Sequence, residues 1–195
     1  MRLRAAEKAS GLRPRLLLGL LGLVTRKDSP LDVLKTIYHK PRYFGTPFLQ
    51  IVNATLRGPS EWSVGERELF AAFTSKQNEC PFCVGSHTAI YSLALGEAAD
   101  QIKLDDWRNA PVDAKVKAAL GLIEKMSRGP RQIDAADVDA VRAAGVSETA
   151  IEDVIHIAFC FHIINRLANA FDFHVASAET FRKVGKSLLK RGYRL

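Results

Sequence analysis

The chain of 195 residues has little cysteine, three in all, and only two methionines and two tryptophans. So few cysteines, odd in number, exclude the disulfide framework of a small secreted domain, and a reducing, cytoplasmic setting is expected. Alternation of apolar and polar residues with period two persists nowhere, so no sheet is expected. There is no glycine-rich phosphate loop, since Gly19 and Gly22 lie in a leucine run with no Lys-Ser/Thr partner. That run, Leu16 to Val24, is far shorter than the ~20 residues that cross a bilayer and has no small-x-small cleavage site after it. No membrane association is expected; the run reads as a helix packed on the body of the protein or on a second subunit. Internal repeats and low-complexity tracts are absent as well.

What is present is the balance of an ordinary soluble domain, 47% hydrophobic and 25% charged, with enough apolar side chains for a real core. The net charge of +7 is unevenly spread. Residues 1–58 carry 11 basic and 3 acidic side chains, residues 59–180 carry 11 and 18, and residues 181–195 carry 6 and none. These basic ends lack the interleaved aromatics of a recognition element, so they read as solvated ends and no nucleic-acid partner is expected.

Helix signals recur along the chain. Pro30 and Pro47 suit first turns, with Ser29 and Thr46 as caps, and Gly58 suits a stop. Ser63 and Glu66 have capping-box spacing and open a helix running toward Gln77. After a break at Asn78-Glu79, Pro81 starts the next helix with Cys80 at its N-cap, and Gly96 ends it. Further helices are predicted over Val112–Ser127, over Asp134–Ala144, after a Ser147 cap through Phe171, and over Ala178–Lys190. The helix after Ser147 is apolar enough all round to be central, and the last is basic and expected at the surface. The fold class is therefore all-α, a single domain over 1–195, with 1–34 a basic helical extension and 35–175 the core.

The chemistry centres on Cys80-x-x-Cys83-x-x-x-His87 at the start of a helix. Two thiols at i and i+3 are within reach of a disulfide, and the unpaired N–H groups of the first turn favour a thiolate. Position alone favours Cys80 as the activated thiol; His87, one turn beyond Cys83 on the same face, can hydrogen-bond Cys83 directly or through water. Glu68 lies nine residues before Gln77 and His87 six after Pro81, about 14 Å and 9 Å from the turn at ~1.5 Å per residue, so the two can meet across an antiparallel hairpin. Thiol, imidazole and carboxylate in series form a proton relay.

These residues resemble the alkylhydroperoxidase D-like branch of the carboxymuconolactone decarboxylase superfamily, in particular its peroxidase-related subgroup. Its pattern is a Glu, a CxxC pair twelve residues later and a His four residues after that, here Glu68, Cys80, Cys83 and His87. Glu66-Arg67-Glu68-Leu69, Cys83-Val84-Gly85-Ser86-His87-Thr88 and the later Asn165-Arg166-Leu167-Ala168-Asn169 carry the resemblance over roughly residues 35–175. It implies an all-helical fold, a homo-oligomer of three or six chains and reduction of organic hydroperoxides. In that scheme Cys83 attacks the peroxide, Cys80 resolves the sulfenic acid, Glu68 and His87 relay the proton, and a dithiol or lipoyl-bearing protein is the reductant. No cofactor is implied. The chain departs from well-known members at Phe82, where they carry a second His. The decarboxylase branch generally lacks the cysteine pair, which makes its lactone chemistry a third reading. The other alternative is a helical protein without turnover, redox-sensing or holding zinc through Cys80, Cys83 and His87. Cys160 and His162 fall in an apolar helix as a buried thiol and a satisfied imidazole, and Asn165 and Arg166 read as structural or interface residues.

Overall fold

A computed structural model describes residues 1–3, 11–25, 28 and 32–194, with 21–25 described in backbone only. Among the described residues the chain is helical and holds no strand. Its α-helices are α1 (Leu12–Thr25), α2 (Asp32–His39), α3 (Thr46–Arg57), α4 (Val64–Gln77), α5 (Pro81–Leu95), α6 (Ala114–Arg128), α7 (Ala135–Ala143), α8 (Glu148–Phe171) and α9 (Ala178–Arg191). Short 3₁₀ segments connect α5 to α6 and α6 to α7.

The helices begin where side chains take up their first N–H groups. Ser63 and Glu66 form the expected capping box on α4, and Asp134 and Asp137 form another on α7. Ser147 caps α8, and Ser177 caps α9. The helix expected from Val112 starts two residues later because Asp113 takes the cap, accepting from Lys115 N. Thr46 is a first-turn residue of α3 and not its cap. A π-helical turn, Pro41–Gly45, runs directly into α3 and leaves Thr46 with helical angles, so Gly45 holds the cap position. The start at Ser29-Pro30 lies outside the described residues.

The core is built on the antiparallel hairpin of α4 and α5, with α8 and α6 against α4, α9 against α5 and α3 against α8. Leu56, Phe70, Phe73, Leu120, Ile123 and Ile157 are completely buried in it. Trp62 stands edge-on to Phe70 with ring centres 5.0 Å apart and donates its indole N–H to Ala150 O at 2.9 Å, so its polar atom is satisfied as the ring is buried.

One expectation about helix faces changes and another is refined. The central helix α8 buries one face but leaves Ile155 and Phe159 exposed, so it is not enclosed all round. The basic helix α9 is amphipathic: Phe181 is 3% exposed and packs on α5, while the cations face outward. A glycine on each helix permits this approach. A Cβ on Gly85 would stand 2.7 Å from the Phe181 ring, and one on Gly185 would stand 3.3 Å from Ile90. Beyond α9 the chain reverses at Gly192, whose φ is +70°, and Tyr193 N donates to Asn53 Oδ1 at 2.9 Å. This return brings the Tyr193 ring back to the hairpin.

Candidate active site

The turn between α4 and α5 places the cysteines. Glu79 N donates to Lys76 O at 3.1 Å and Cys80 N to Ser75 O at 2.9 Å, the paired bonds of a Schellman closure. Glu79 takes the left-handed position, with φ 51°, where glycine is usual. Asn169 of α8 clamps the turn by donating to Asn78 O at 3.1 Å and Glu79 O at 3.2 Å. Cys80 is then the N-cap of α5 and Pro81 its first residue, as the spacing predicts.

Both thiols are buried, Cys80 at 1% exposure and Cys83 at 2%. They sit in an apolar pocket with Phe82, Ala168, Phe173, Ala176 and Phe181, and Met1 and Val33 pack against its outside. Phe82, where well-known members of the resembled family have a second His, stands edge-on to Phe173 at 5.2 Å and to Phe181 at 5.7 Å.

The two thiols differ electrostatically. Contact with the Cys83 thiol holds the Cys80 thiol below its ordinary value against the effect of burial, helped by the N–H of Cys83, the Asn165 amide and the N–H of Phe82. The same contact and complete burial push Cys83 well above the ordinary thiol value, with Asn165 and Ser75 pulling the other way. The resting pair thus favours a thiolate on Cys80, and Cys83 needs a base to ionise.

Glu68 and His87 meet across the hairpin, with His87 Nδ1 2.6 Å from Glu68 Oε2. Glu68 has no exposed surface. Burial pushes its carboxyl up, but the charges and hydrogen bonds of His87 and Arg57 outweigh this and hold it below its ordinary value. Glu68 therefore stays a carboxylate facing His87 Nδ1, and this contact orients the imidazole with Nε2 away from the carboxylate. Among the described residues no hydrogen bond joins His87 to Cys83, so the pair is linked by helical spacing alone. The His87 ring is fixed by Phe161, edge-on at 4.5 Å.

Two further residues of this cluster were not singled out from the sequence. Arg57 Nη2 pairs with Glu68 Oε1 at 2.6 Å, and the Tyr193 hydroxyl donates to Oε1 at 2.9 Å and to Oε2 at 3.2 Å. The guanidinium also lies 5.0 Å from the centre of the Tyr193 ring. Burial, followed by the Glu68 charge, pushes the Tyr193 phenol well above its ordinary value, so it remains a donor. No local pattern marks either residue. An open cleft of about 420 Å³ between α3 and the C-terminal segment reaches Arg57 and Tyr193 from outside, and the cysteines do not line it.

Among the described residues no three His, Cys, Asp or Glu side chains converge as a metal site. Cys160 is 1% exposed with its thiol pushed up by burial, and Thr55 Oγ1 lies 4.0 Å from the sulfur. His162 Nδ1 is 3.1 Å from Asn78 Nδ2. Asn165 is fully buried between Asn78 and Ser75.

No protein-family model matches the chain, and no curated protein does. Solved structures do. An uncharacterized peroxidase-related protein from Silicibacter sp. TM1040 superposes with a TM-score of 0.75 over 92% of this chain and 93% of its own, at 24% identity. The chain has the alkylhydroperoxidase D-like fold. A second structure of that fold is an alkylhydroperoxidase AhpD core, an uncharacterized peroxidase-related protein from Ralstonia eutropha JMP134. It superposes with a TM-score of 0.70 over 95% of both chains at 22% identity. At such identities the likeness extends to the fold, and activity has to be argued from the site.

Proposed function

We propose that the chain is a thiol-dependent peroxidase that reduces organic hydroperoxides through Cys80 and Cys83. The observation that carries this reading is the Glu68–His87 hydrogen bond of 2.6 Å, buried one helical turn beyond Cys83 in a fold shared with peroxidase-related proteins. A structural thiol pair needs no such base.

In the proposed cycle His87 takes the Cys83 proton on Nε2, and the thiolate attacks the terminal oxygen of the hydroperoxide. The O–O bond breaks, an S–O bond forms, and His87 returns its proton to the departing alkoxide, giving an alcohol and Cys83 sulfenic acid. Cys80 sulfur then attacks the Cys83 sulfur. The departing hydroxide takes a proton from solvent to become water, and a disulfide remains. A dithiol such as a lipoyl-bearing protein donates the two electrons and two protons that restore both thiols. Glu68 stays ionised throughout and supports the imidazolium that forms beside it.

The proposed chain works as a homo-oligomer in a reducing cytoplasm, where such dithiols are available. Reduced, chelator-treated protein should lose two hydrogens in intact mass on adding one equivalent of an organic hydroperoxide. Peptide mapping should place the change at Cys80 and Cys83, and Cys83→Ser should abolish it. An unchanged mass in the wild type would leave the pair structural.

A further inference from the structure

Each ring nitrogen of His162, on α8, meets a partner from a different element. The Ser127 hydroxyl of α6 donates its one proton to Ile123 O at 2.8 Å, so toward His162 Nε2, 3.4 Å away, it can only accept. The Asn78 carboxamide nitrogen lies 3.1 Å from Nδ1 and has only protons to offer. The bonded ring is therefore neutral, with its proton on Nε2. The same Asn78 nitrogen donates to Asn165 Oδ1 at 2.9 Å, Asn165 Nδ2 donates to Ser75 Oγ at 3.0 Å, and Ser75 Oγ donates to Ala71 O at 2.8 Å. A proton on Nδ1 opposes this row. It sets N–H against N–H at Asn78, and turning the Asn78 amide over would set its oxygen against that of Asn165.

The row ends in the turn that carries the thiols. Asn78 closes α4, and Ser75 O accepts from Cys80 N at 2.9 Å. His162, Asn165 and Asn169 lie on one stripe of α8, and all three bond to this turn or to the last turn of α4. The charges around His162 do not favour a second positive one. Arg166, one turn along α8, donates to His162 O at 2.8 Å. On α6, Arg128 beside Ser127 is turned to Gln77 and Glu124. Beside Asn78, Glu79 is exposed, and Lys76, two residues before it, pairs with Asp105. Arg57 of α3 and His87 of α5 meet at Glu68, and Arg142 of α7 pairs with Glu148. Burial and the Arg166 charge together hold the imidazole below its ordinary value.

We propose that His162 is a positioning residue of the thiol turn and a pH-sensitive latch: neutral, it accepts from Asn78 and locks the turn on α8, and protonated, it releases it. The latch takes from the redox reading above only the identity of the thiols, and its test uses no peroxide. Because the fold favours the neutral ring, the clamp is held at neutral pH and weakens as pH falls below the ordinary histidine range.

The test is hydrogen exchange of the Cys80 amide in the reduced full-length protein at pH 8 and pH 5, read as the ratio of wild type to His162→Gln. Gln offers an acceptor to Asn78 and a donor to Ser127 without titrating, and intrinsic exchange cancels in the ratio. The ratio should be near one at pH 8 and about fivefold or more at pH 5, the worth of one hydrogen bond. Iodoacetamide alkylation of Cys80 and Cys83, followed by peptide mapping, should show the same rise in the ratio. Cys160, on the α3 side of α8 beside Thr55, should show none. His162→Leu, which removes the acceptor, should exchange at pH 8 faster than wild type by a similar factor. A ratio equal at both pH values would overturn the proposal, as would a Cys160 ratio that rises with the others. If His162→Gln does not fold, wild-type NMR decides: the Asn78 side-chain amide signals should move as the His162 ring titrates, and signals that stay fixed would overturn the latch. A working latch in a protein that consumes no hydroperoxide would remove the peroxidase reading alone.

Discussion

Glu68 carries a charge with no exposed surface, so the chain tolerates it only while His87, Arg57 and Tyr193 all donate to it. Tyr193→Phe keeps the ring and removes one donor, an expected loss of about 1–3 kcal/mol. Urea unfolding should show a lower midpoint with the slope unchanged, and an unchanged midpoint would mean that the hydroxyl does not support the carboxylate. His87→Ala should slow both Cys83 alkylation at neutral pH and hydroperoxide reduction, the latter by about 10²-fold or more. Unchanged rates would remove the relay. Glu68, Cys80, Cys83 and His87 were legible because each lies at a helical spacing from the next or at a mirrored depth in one hairpin. Arg57 and Asn165 were not, because an Arg on an amphipathic helix and an Asn on an apolar one have the same local pattern whether they serve a site or the solvent.

The helices themselves were the most legible scale, since a Ser or Asp cap and a Pro in the first turn act within four residues. The errors came where an element leans on something outside itself. Thr46 lost the cap position to Gly45 because a π-turn joins α3 without a break. The basic α9 lies at the surface as expected, and what the sequence left out is the contact of Phe181 with Gly85. Gly85→Val should force that ring out at a cost of about 1–3 kcal/mol. It should also release α9 to limited proteolysis before the rest of the chain, whereas co-cleavage of the whole chain would argue that α9 is held elsewhere. The α4–α5 turn offers a change in the other direction. Glu79→Gly relieves a left-handed residue at a helix C-terminus and should add about 1 kcal/mol, partly offset by glycine entropy. In thermal unfolding this is an increase in Tm of about 2–4 °C for a chain of this size.

Across the whole molecule the tertiary charge pattern predicts a direction for acid sensitivity. Asp28 is held below its ordinary value chiefly by the Ser177 and Thr180 hydroxyls at the start of α9. For Asp32, burial pushes upward but the His174 N–H and Lys35 outweigh it. Glu68 is lowered as well. Folded values below unfolded ones mean that the unfolded chain binds more protons, so these groups favour the fold fully above about pH 5, and their contribution is lost as pH falls through the unfolded and then the folded values. Tm should therefore fall between pH 5 and 3, and Asp32→Asn should flatten the fall; equal slopes would show that Asp32 is not a source of the sensitivity. The amino-acid sequence by itself determined the helical class, the α4–α5 hairpin and the four residues spaced along it, because caps, prolines and helical periodicity act over a few residues. Only the tertiary structure decided that Tyr193, 125 residues from Glu68, donates to its carboxylate, and that Asn165, 90 residues from Ser75, is buried against its hydroxyl. The physical reason is that a buried charge or polar group takes its partners from whichever elements pack around it, and that packing is a property of the assembled helices.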